Sequence, residues 1–434
     1  MSINNFKSLE ELSKQDYLIY DDLAESIGRI NNPLLHIPLK NNLDMICGAG
    51  SVTFTRSTTA TYVDRYGTVK SSAINAARFE KEGLLIEGAS TNKVLYSGDI
   101  SNSYWQKQQG SVTTSTITSP DGTNTAYGFI SDSTTNVSHQ VFRSGVLSAD
   151  KTYSLSGFVK AGGKNYIRMQ GVSWTSGWAL TGVAAVYFDL INGTVGSTYN
   201  SGGMTFLDAK IETLSNGWFR CSISFIVASG TDVYNTQTSF LPAISTSAYY
   251  YTGDGSTTEF HLWGAQLEEL PFASSYIPTT TAAVTRSGDN CVVTSLGNMP
   301  EFSTDEGTLL IDCDAIGVST DFSQFLFYNN DYNQSVFSEA NYSDSWITLG
   351  NASWRYYSKF KSCIKYRVGC VCDKIYAINY LDGEKISIGN LSSHVISTNS
   401  TRLGSALGNR QLFGHLSNFR IYDIALTEKE MRIA

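Results

Sequence analysis

Apolar and polar residues alternate along most of this chain with the two-residue period of a half-buried strand. The clearest case is WFRCSISFIV, where Phe219, Cys221, Ile223, Phe225 and Val227 fall on one face. TYSLSGFVKAGG reads as a strand ending in a glycine turn, and YIRMQGVSW follows as another. VAAVYFDLINGTV contains Asn192-Gly193, a pair that tolerates the positive φ of a tight hairpin. Farther on, GTLLIDCDAIG, FLFYNND, SWITLGNASWRYY and KIYAINYLDGEKISIG give successive strands, with Asp382-Gly383 as a second hairpin turn. Short strands separated by Gly and Asn predict antiparallel sandwiches.

A helical period is convincing only over residues 1 to about 32. Ser8 and Glu11 form a capping box there, and Leu9, Leu12, Leu23, Ile27 and Ile30 share one stripe. Gly28 offers a stop, and Asn32-Pro33 ends the helix. The stripe shows burial without naming the partner, so the helix either packs on its own domain or docks to another chain. At the other end Thr427 caps a short helix, with Glu430 three positions on. The expected division is a helical docking or oligomerisation segment at 1–45, a β-rich connecting region at 46–95 and a sandwich at 96–278. A Thr-rich linker at 279–299 and a second sandwich at 300–434 complete it.

Composition narrows the class. Charged residues make up 16% of the 434 positions, well under the usual quarter, and Ser, Thr, Asn, Gly and Tyr replace them. The aromatic share of 12% argues against disorder. A net charge of -8 without a basic cluster excludes a nucleic-acid partner. No apolar run approaches the ~20 residues of a membrane span, so no membrane insertion is expected. Seven cysteines at irregular spacing form no disulfide framework and fit synthesis in a reducing cytosol. The start MSINNFKSLEEL carries no basic-then-apolar export signal. An exported-type composition without such a signal is reconciled by release on host lysis. That predicts a bacteriophage product, made in the host bacterial cytoplasm and ending in the virion.

The segment GLLIEGASTNKVLYSGDISNSYWQK, with FVKAGG, YFDLINGTVG, NGWFRCSIS and WGAQLEELPFASSYIPTT after it, resembles the carbohydrate-binding-module-like jelly rolls of phage tail-fibre and other virion proteins. LFGHLSNFRIYDIALTEKEM resembles the end of a laminin-G-like, concanavalin A-type lectin sandwich. Together these imply a mainly β chain with two antiparallel β-sandwich domains, jelly-roll and lectin-like, after a short N-terminal helical segment. The resemblance also implies other virion proteins as partners, a host cell-surface glycan as ligand, and a homotrimer.

Candidate chemistry is sparse. The acidic residues Asp189, Glu212, Glu259, Glu268 and Glu269 form no paired motif of the kind glycoside hydrolysis needs. Glu268 and Glu269 are adjacent and point to opposite faces of a strand. There is no G-x-S-x-G elbow, and His36, His139, His261, His394 and His415 lack metal-ligand spacing. Cys370 and Cys372, with Cys363 nearby, fall short of four paired zinc ligands. No enzyme and no obligate cofactor are expected. Calcium remains possible on Asp312, Asp314, Asp321 or Asp331.

Sugar is held by aromatic faces and a few placed polar groups. Trp174 and Trp178 flank a polar loop in VSWTSGWALTG, and Tyr249 and Tyr251 share a face before TGDGST. Trp346 and Trp354 form a third candidate group in the second sandwich, while Trp105, Trp218 and Trp263 are expected in cores. The leading expectation is a tail fibre or other surface appendage with non-catalytic glycan-binding domains. Its rivals are a purely structural head decoration, collar or whisker protein, and a glycan depolymerase tailspike.

Overall fold

A computed structural model describes residues 28, 30, 32–177, 179–231, 235–294, 306–317, 324–329, 335–339, 345–350, 356–360, 364–373, 376–390, 400–405 and 411–433. The fold is mainly antiparallel β; the described residues form four large sheets of eight, six, six and seven strands. The helix expected over residues 1 to 32 lies outside the described residues except for Gly28, Ile30 and Asn32. Ile30 is buried beside Tyr422, whose Oη donates to the Ile30 carbonyl at 2.9 Å.

The two six-stranded sheets form one sandwich. One carries Met204–Thr213, Phe219–Val227, Lys151–Ala161, Thr258–Glu268, Tyr127–Ser131 and Gly110–Thr114 in that order. The other carries Thr194–Gly202, Leu180–Asp189, Tyr166–Trp174, Asn235–Ala243, Gln140–Ser144 and Gln106–Gln108. The alternation seen in WFRCSISFIV sends Phe219, Cys221, Ile223, Phe225 and Val227 into the core between them, with Met169, Phe188, Phe240 and Phe260. Trp105, Trp218 and Trp263 are buried, as expected.

The eight- and seven-stranded sheets form the second sandwich, and here the expected division needs correction. Residues 46–95 are not a connector. Ser51–Thr55 pairs with Asn290–Thr294 in the seven-stranded sheet, while Leu84–Ile86 pairs with Gly414–Tyr422 in the eight-stranded one. Leu35–Ile37, inside the expected helical segment, also pairs with Gly414–Tyr422. The 279–299 stretch is not a free linker either. It supplies Val284–Arg286 and Asn290–Thr294. The core of this sandwich draws on Leu35, Phe54 and Ile86 as well as Ile311, Val368 and Phe419. The first sandwich is therefore inserted into the second. Local alternation reports strands but not their partners, so this pairing over more than 200 intervening residues escaped the sequence reading.

Entry and exit of the insertion lie side by side, because Ser90–Asn92 pairs with Val284–Arg286. Insertion requires such neighbouring ends. A buried polar knot fixes this junction. Arg78 pairs with Glu87 at 2.7 Å and with Asp289, Arg56 pairs with Asp289 at 3.1 Å, and Arg286 pairs with Glu87. Ser275 donates its N–H (2.7 Å) and hydroxyl (2.6 Å) to Glu87. Glu268 accepts from Ser90 at 2.6 Å, Gln266 at 2.7 Å and the Ser274 N–H at 2.9 Å. Desolvation would raise the Glu87 carboxyl, but Arg286, Arg78 and Ser275 outweigh it and hold the pKa down at about 2. The blocks GLLIEGASTN and WGAQLEELPFASSYIPTT, far apart in sequence, meet here.

The two hairpin signals resolve differently. Asp382 and Gly383 form a two-residue turn with φ of +50° and +77°, as the sequence implies. Asn192-Gly193 instead closes a four-residue loop between the paired Asp189 and Thr194, and only Gly193 of the two has positive φ. Asp189 takes over the turn, accepting from the Ile191 N–H at 2.9 Å and the Asn192 N–H at 3.0 Å. The capping box of the C-terminal helix Glu428–Ile433 forms as read, with Thr427 N–H donating to Glu430 Oε2 at 2.7 Å.

Gly202, where the chain crosses from one sheet of the inserted sandwich to the other, sits at φ +59°, and an added Cβ would lie 2.0 Å from the Thr181 carbonyl oxygen. That obstacle is backbone and cannot rotate away. Gly202→Ala should cost about 1–3 kcal/mol in urea unfolding, from overpacking and left-handed strain. An unchanged midpoint would show that the crossing relaxes freely.

Candidate functional site

The aromatic candidates separate on inspection. Trp174 ends the strand Tyr166–Trp174 and packs half-buried on Val172, Val183 and Ala185. Those residues lie on the sheet face turned away from the sandwich core. Tyr249 joins the same face. Its ring lies 6.4 Å from that of Tyr187 and 4.5 Å from that of Tyr250, and Arg168 sits 4.2 Å above it. Tyr251 does not join them. It is buried, hydrogen-bonds Ser131 and lies against the His139 ring at 4.6 Å, so it belongs to the packing of the loop. Tyr250 is the exposed member, at 53%. Trp178 and Trp354 lie outside the described residues. Trp346 lies in the strand Ser345–Gly350, opposite Glu339 and Lys359.

Register builds the face around these aromatics. In YIRMQGVSW, Ile167 and Met169 enter the core. Arg168, Gln170, Val172 and Trp174 take the opposite side, because successive side chains alternate. Across the sheet Arg168 stands opposite Tyr187 and Leu241, and Gln170 opposite Ala185 and Ser239. Arg168 donates Nε–H to Gln170 Oε1 at 2.8 Å and Nη1–H to the Tyr187 hydroxyl at 3.0 Å. Gln237 continues the polar row, donating to Gln140 Oε1 at 2.8 Å and to Ser239 Oγ at 2.7 Å; Gln140 in turn donates to Gln108. Burial, with the hydrogen bond to Tyr250, pushes the Tyr249 phenol up to about 12, so it stays a neutral donor. From Arg168 to Trp174 the strand runs ~20 Å at ~3.3 Å per residue. Aromatics thus bracket a buried row of amides and a guanidinium. Sequence reading picked out the Trp and Tyr residues but passed over Arg168, Gln170 and Tyr187, whose alternation with core residues was the available signal.

The acidic candidates have structural duties or exposed partners. Asp189 holds its turn, Glu259 pairs with Lys164 at 3.2 Å, Glu268 belongs to the junction knot, and Glu269 pairs with Lys93. Glu212 pairs with Lys210 at 2.6 Å. Burial opposes its ionisation, but Lys210 and Arg220 prevail and hold its carboxyl below the usual range. Of the calcium candidates, Asp312 bonds Arg367 at 2.8 Å and Asn418 at 2.7 Å, and Asp314 bonds His415. Their oxygens accept from these partners in the structure. Asp321 and Asp331 lie outside the described residues. His261 is hydrogen-bonded to Ser115 at 3.0 Å within its sheet. Cys221, Cys291 and Cys313 are buried free thiols.

A cavity of about 520 Å³ opens between the sandwiches. The hairpin of Ala60–Val63 with Val69–Ser72 walls one side, and Phe158, Glu212 and Arg220 of the inserted sandwich wall another. Glu80, Glu82, Asp314 and His415 of the second sandwich line the rest. His415 Nδ1 lies 2.9 Å from Asp314 Oδ1, and Nε2 lies 3.1 Å from Glu80 Oε2. Desolvation would lower the imidazole pKa, but the hydrogen bonds and charges of Asp314 and Glu80 raise it to about 10. Sequence spacing could not show this cluster, since Glu80 and His415 stand 335 residues apart.

No protein-family model matches the chain, and no curated protein does. Among solved structures it is similar to domain 4 of AbnA, an extracellular arabinanase from Geobacillus stearothermophilus, in complex with arabinotriose. Identity there is 16% and the TM-score 0.28, over 37% of this chain and 80% of that one. It is also similar to the receptor-binding domain of a botulinum neurotoxin C/D mosaic serotype, at 12% identity and TM-score 0.27, over 34% of this chain and 40% of that one. A pentraxin from Limulus polyphemus matches at 16% identity and TM-score 0.25, over 30% and 69%. At these scores the likenesses carry no functional weight.

Proposed function

We propose that the inserted sandwich is a non-catalytic glycan-binding module. The observation that carries this reading is the sheet face turned away from the sandwich core, where half-buried Trp174 and Tyr249 bracket Arg168 and Gln170, which are themselves buried. Aromatic faces meet the C–H patches of a sugar ring, while amides and a guanidinium bond its hydroxyls. The length of the face suits an oligosaccharide better than a single sugar. Engagement of Glu259, Glu268 and Glu269 in ion pairs and hydrogen bonds supports binding without cleavage.

We propose further that the chain serves as a surface appendage of a bacteriophage particle, with a host cell-surface glycan as ligand. Support comes from the low charge, the Ser, Thr and Tyr richness and the quoted jelly-roll blocks. In this reading the N-terminal segment docks to other virion proteins, and three copies give avidity that one weak site lacks.

The test is incubation of the purified, labelled protein with a panel of bacterial surface polysaccharides. The expected outcome is saturable binding to at least one of them, with its chain length unchanged on gel filtration. Shortened polysaccharide would replace the module by a depolymerase. Absence of binding across the panel, by folded protein, would leave particle architecture as the function.

A further inference from the structure

We propose that the glycan face selects an acidic sugar, resting on the reading of that face as a binding site, with Arg168 receiving the sugar's oxyanion.

Arg168 is a buried cation without a counter-charge. It is 7% exposed. Its Nε–H is spent on Gln170 Oε1 at 2.8 Å and one Nη1–H on the Tyr187 hydroxyl at 3.0 Å. An amide and a phenol satisfy donors but bring no negative charge. Among the described residues no carboxylate forms an ion pair with it. Register explains why. The neighbours it sets around Arg168 on this face, Gln170, Val172, Ala185, Tyr187, Ser239 and Leu241, are all uncharged. The rings of Tyr187 and Tyr249, 5.3 and 4.2 Å from the guanidinium, attract the cation but do not cancel its charge. Burial keeps the Tyr249 phenol protonated, so no phenolate answers it either.

The chain treats its buried arginines at the junction differently. Arg56, Arg78 and Arg286 each meet a carboxylate there, Asp289 or Glu87. Charge removed from water is costly unless it is paired. A guanidinium held out of water on a binding face, with its pairing left undone, calls for an anion from outside.

The open end of Arg168 is placed to take one. Nη2 makes no hydrogen bond, yet it is not sealed from solvent. Gln170 and Tyr187 already fix the plane of the group, so little freedom is lost when a ligand arrives. An oxyanion at Nη2 gains a charge-assisted hydrogen bond, roughly twice as strong as a neutral one. Exposed Tyr250 stacks outside Tyr249 and offers a ring surface to the sugar that carries the anion. Uronates, sulfate esters and phosphate esters all present a suitable group, since guanidinium matches carboxylate and phosphate geometry. General attraction cannot supply the preference, because the chain's net charge is -8.

The experiment presents the full chain to immobilised oligosaccharides in matched pairs: uronate-containing, sulfated and phosphorylated members, each beside its carboxyl-reduced, desulfated or dephosphorylated counterpart. We expect at least one acidic member to bind tenfold or more tighter than its neutral counterpart, and the pair that does so identifies the oxyanion. Arg168→Gln should bring the two members of that pair to equal affinity. Arg168→Lys, which keeps the charge, should retain part of the difference, and circular dichroism verifies the fold of both variants. The comparison of matched pairs on the wild type needs no variant. Glycans bound equally well with and without their acidic groups overturn acid selection while leaving the glycan-binding reading in place. A preference that survives Arg168→Gln also overturns it, by placing the anion elsewhere. Absence of binding to every member, by folded protein, overturns the glycan-binding reading itself and acid selection with it.

Discussion

Asp289→Ala should lower the unfolding free energy by about 3–5 kcal/mol, the usual cost of stranding buried charge. Asp289 is the partner of both Arg56 and Arg78, and all three side chains are inaccessible to solvent. Removing it strands Arg56 without a carboxylate and leaves Arg78 and Arg286 to share Glu87 in a junction closed to solvent. Arg56 is already sensitive. Burial lowers its pKa, and Asp289 is the main opposing influence. Urea unfolding followed by fluorescence and by circular dichroism measures the loss, and a change under ~1 kcal/mol would mean that water enters the junction and screens it.

The same knot sets a pH dependence. The Glu87 pKa falls from 4.5 to about 2 on folding, worth about 3 kcal/mol. A depressed carboxyl stabilises above its unfolded pKa. The contribution is therefore complete above pH 4.5, fades as pH falls toward 2, and is absent below that. Glu87→Gln should flatten the acid limb of the stability profile between those values. An acid limb of undiminished slope would assign the acid sensitivity to other carboxylates.

Trp174→Ala should weaken glycan binding by about 2 kcal/mol, roughly 30-fold, as truncation of a central aromatic anchor does. Its ring rests on Val172, Val183 and Ala185, outside the main core of the sandwich. The fold should consequently survive, with a stability loss near 1 kcal/mol. Arg168→Lys is the sharper companion. Lysine keeps the charge but cannot reach Gln170 and Tyr187 together while stacking on Tyr249. It should lose about tenfold in affinity. Tyr251→Phe, which alters a buried contact off the face, should bind normally. Equal weakening by all three changes would point to loosened packing rather than to a binding face.

Much of the fold was legible because a strand writes its two faces into adjacent residues. Phe219 to Val227 went to the core as their alternation requires, and Asp382-Gly383 turned as its φ preference requires. Insertion of one sandwich into the other was not legible. Nothing local in SVTFT identifies NCVVT as its partner, although Val52 stands opposite Val293. The glycan face was half legible. Trp174 and Tyr249 announced themselves as large aromatics in polar surroundings, yet Tyr251 looked the same and is buried. Arg168 needed the register of three strands to acquire its partners. The Glu80–His415–Asp314 cluster was invisible, since its members meet only through pairing of distant strands.

Glycan recognition by the inserted sandwich is tested most directly by binding of fluorescently labelled protein to bacteria carrying the recognised polysaccharide and to mutants stripped of it, with Trp174→Ala run beside the wild type. Saturable wild-type binding is expected to disappear with the polysaccharide and to weaken roughly 30-fold in Trp174→Ala. Wild-type binding that persists on stripped cells, or that Trp174→Ala and Arg168→Lys leave unchanged, would contradict it.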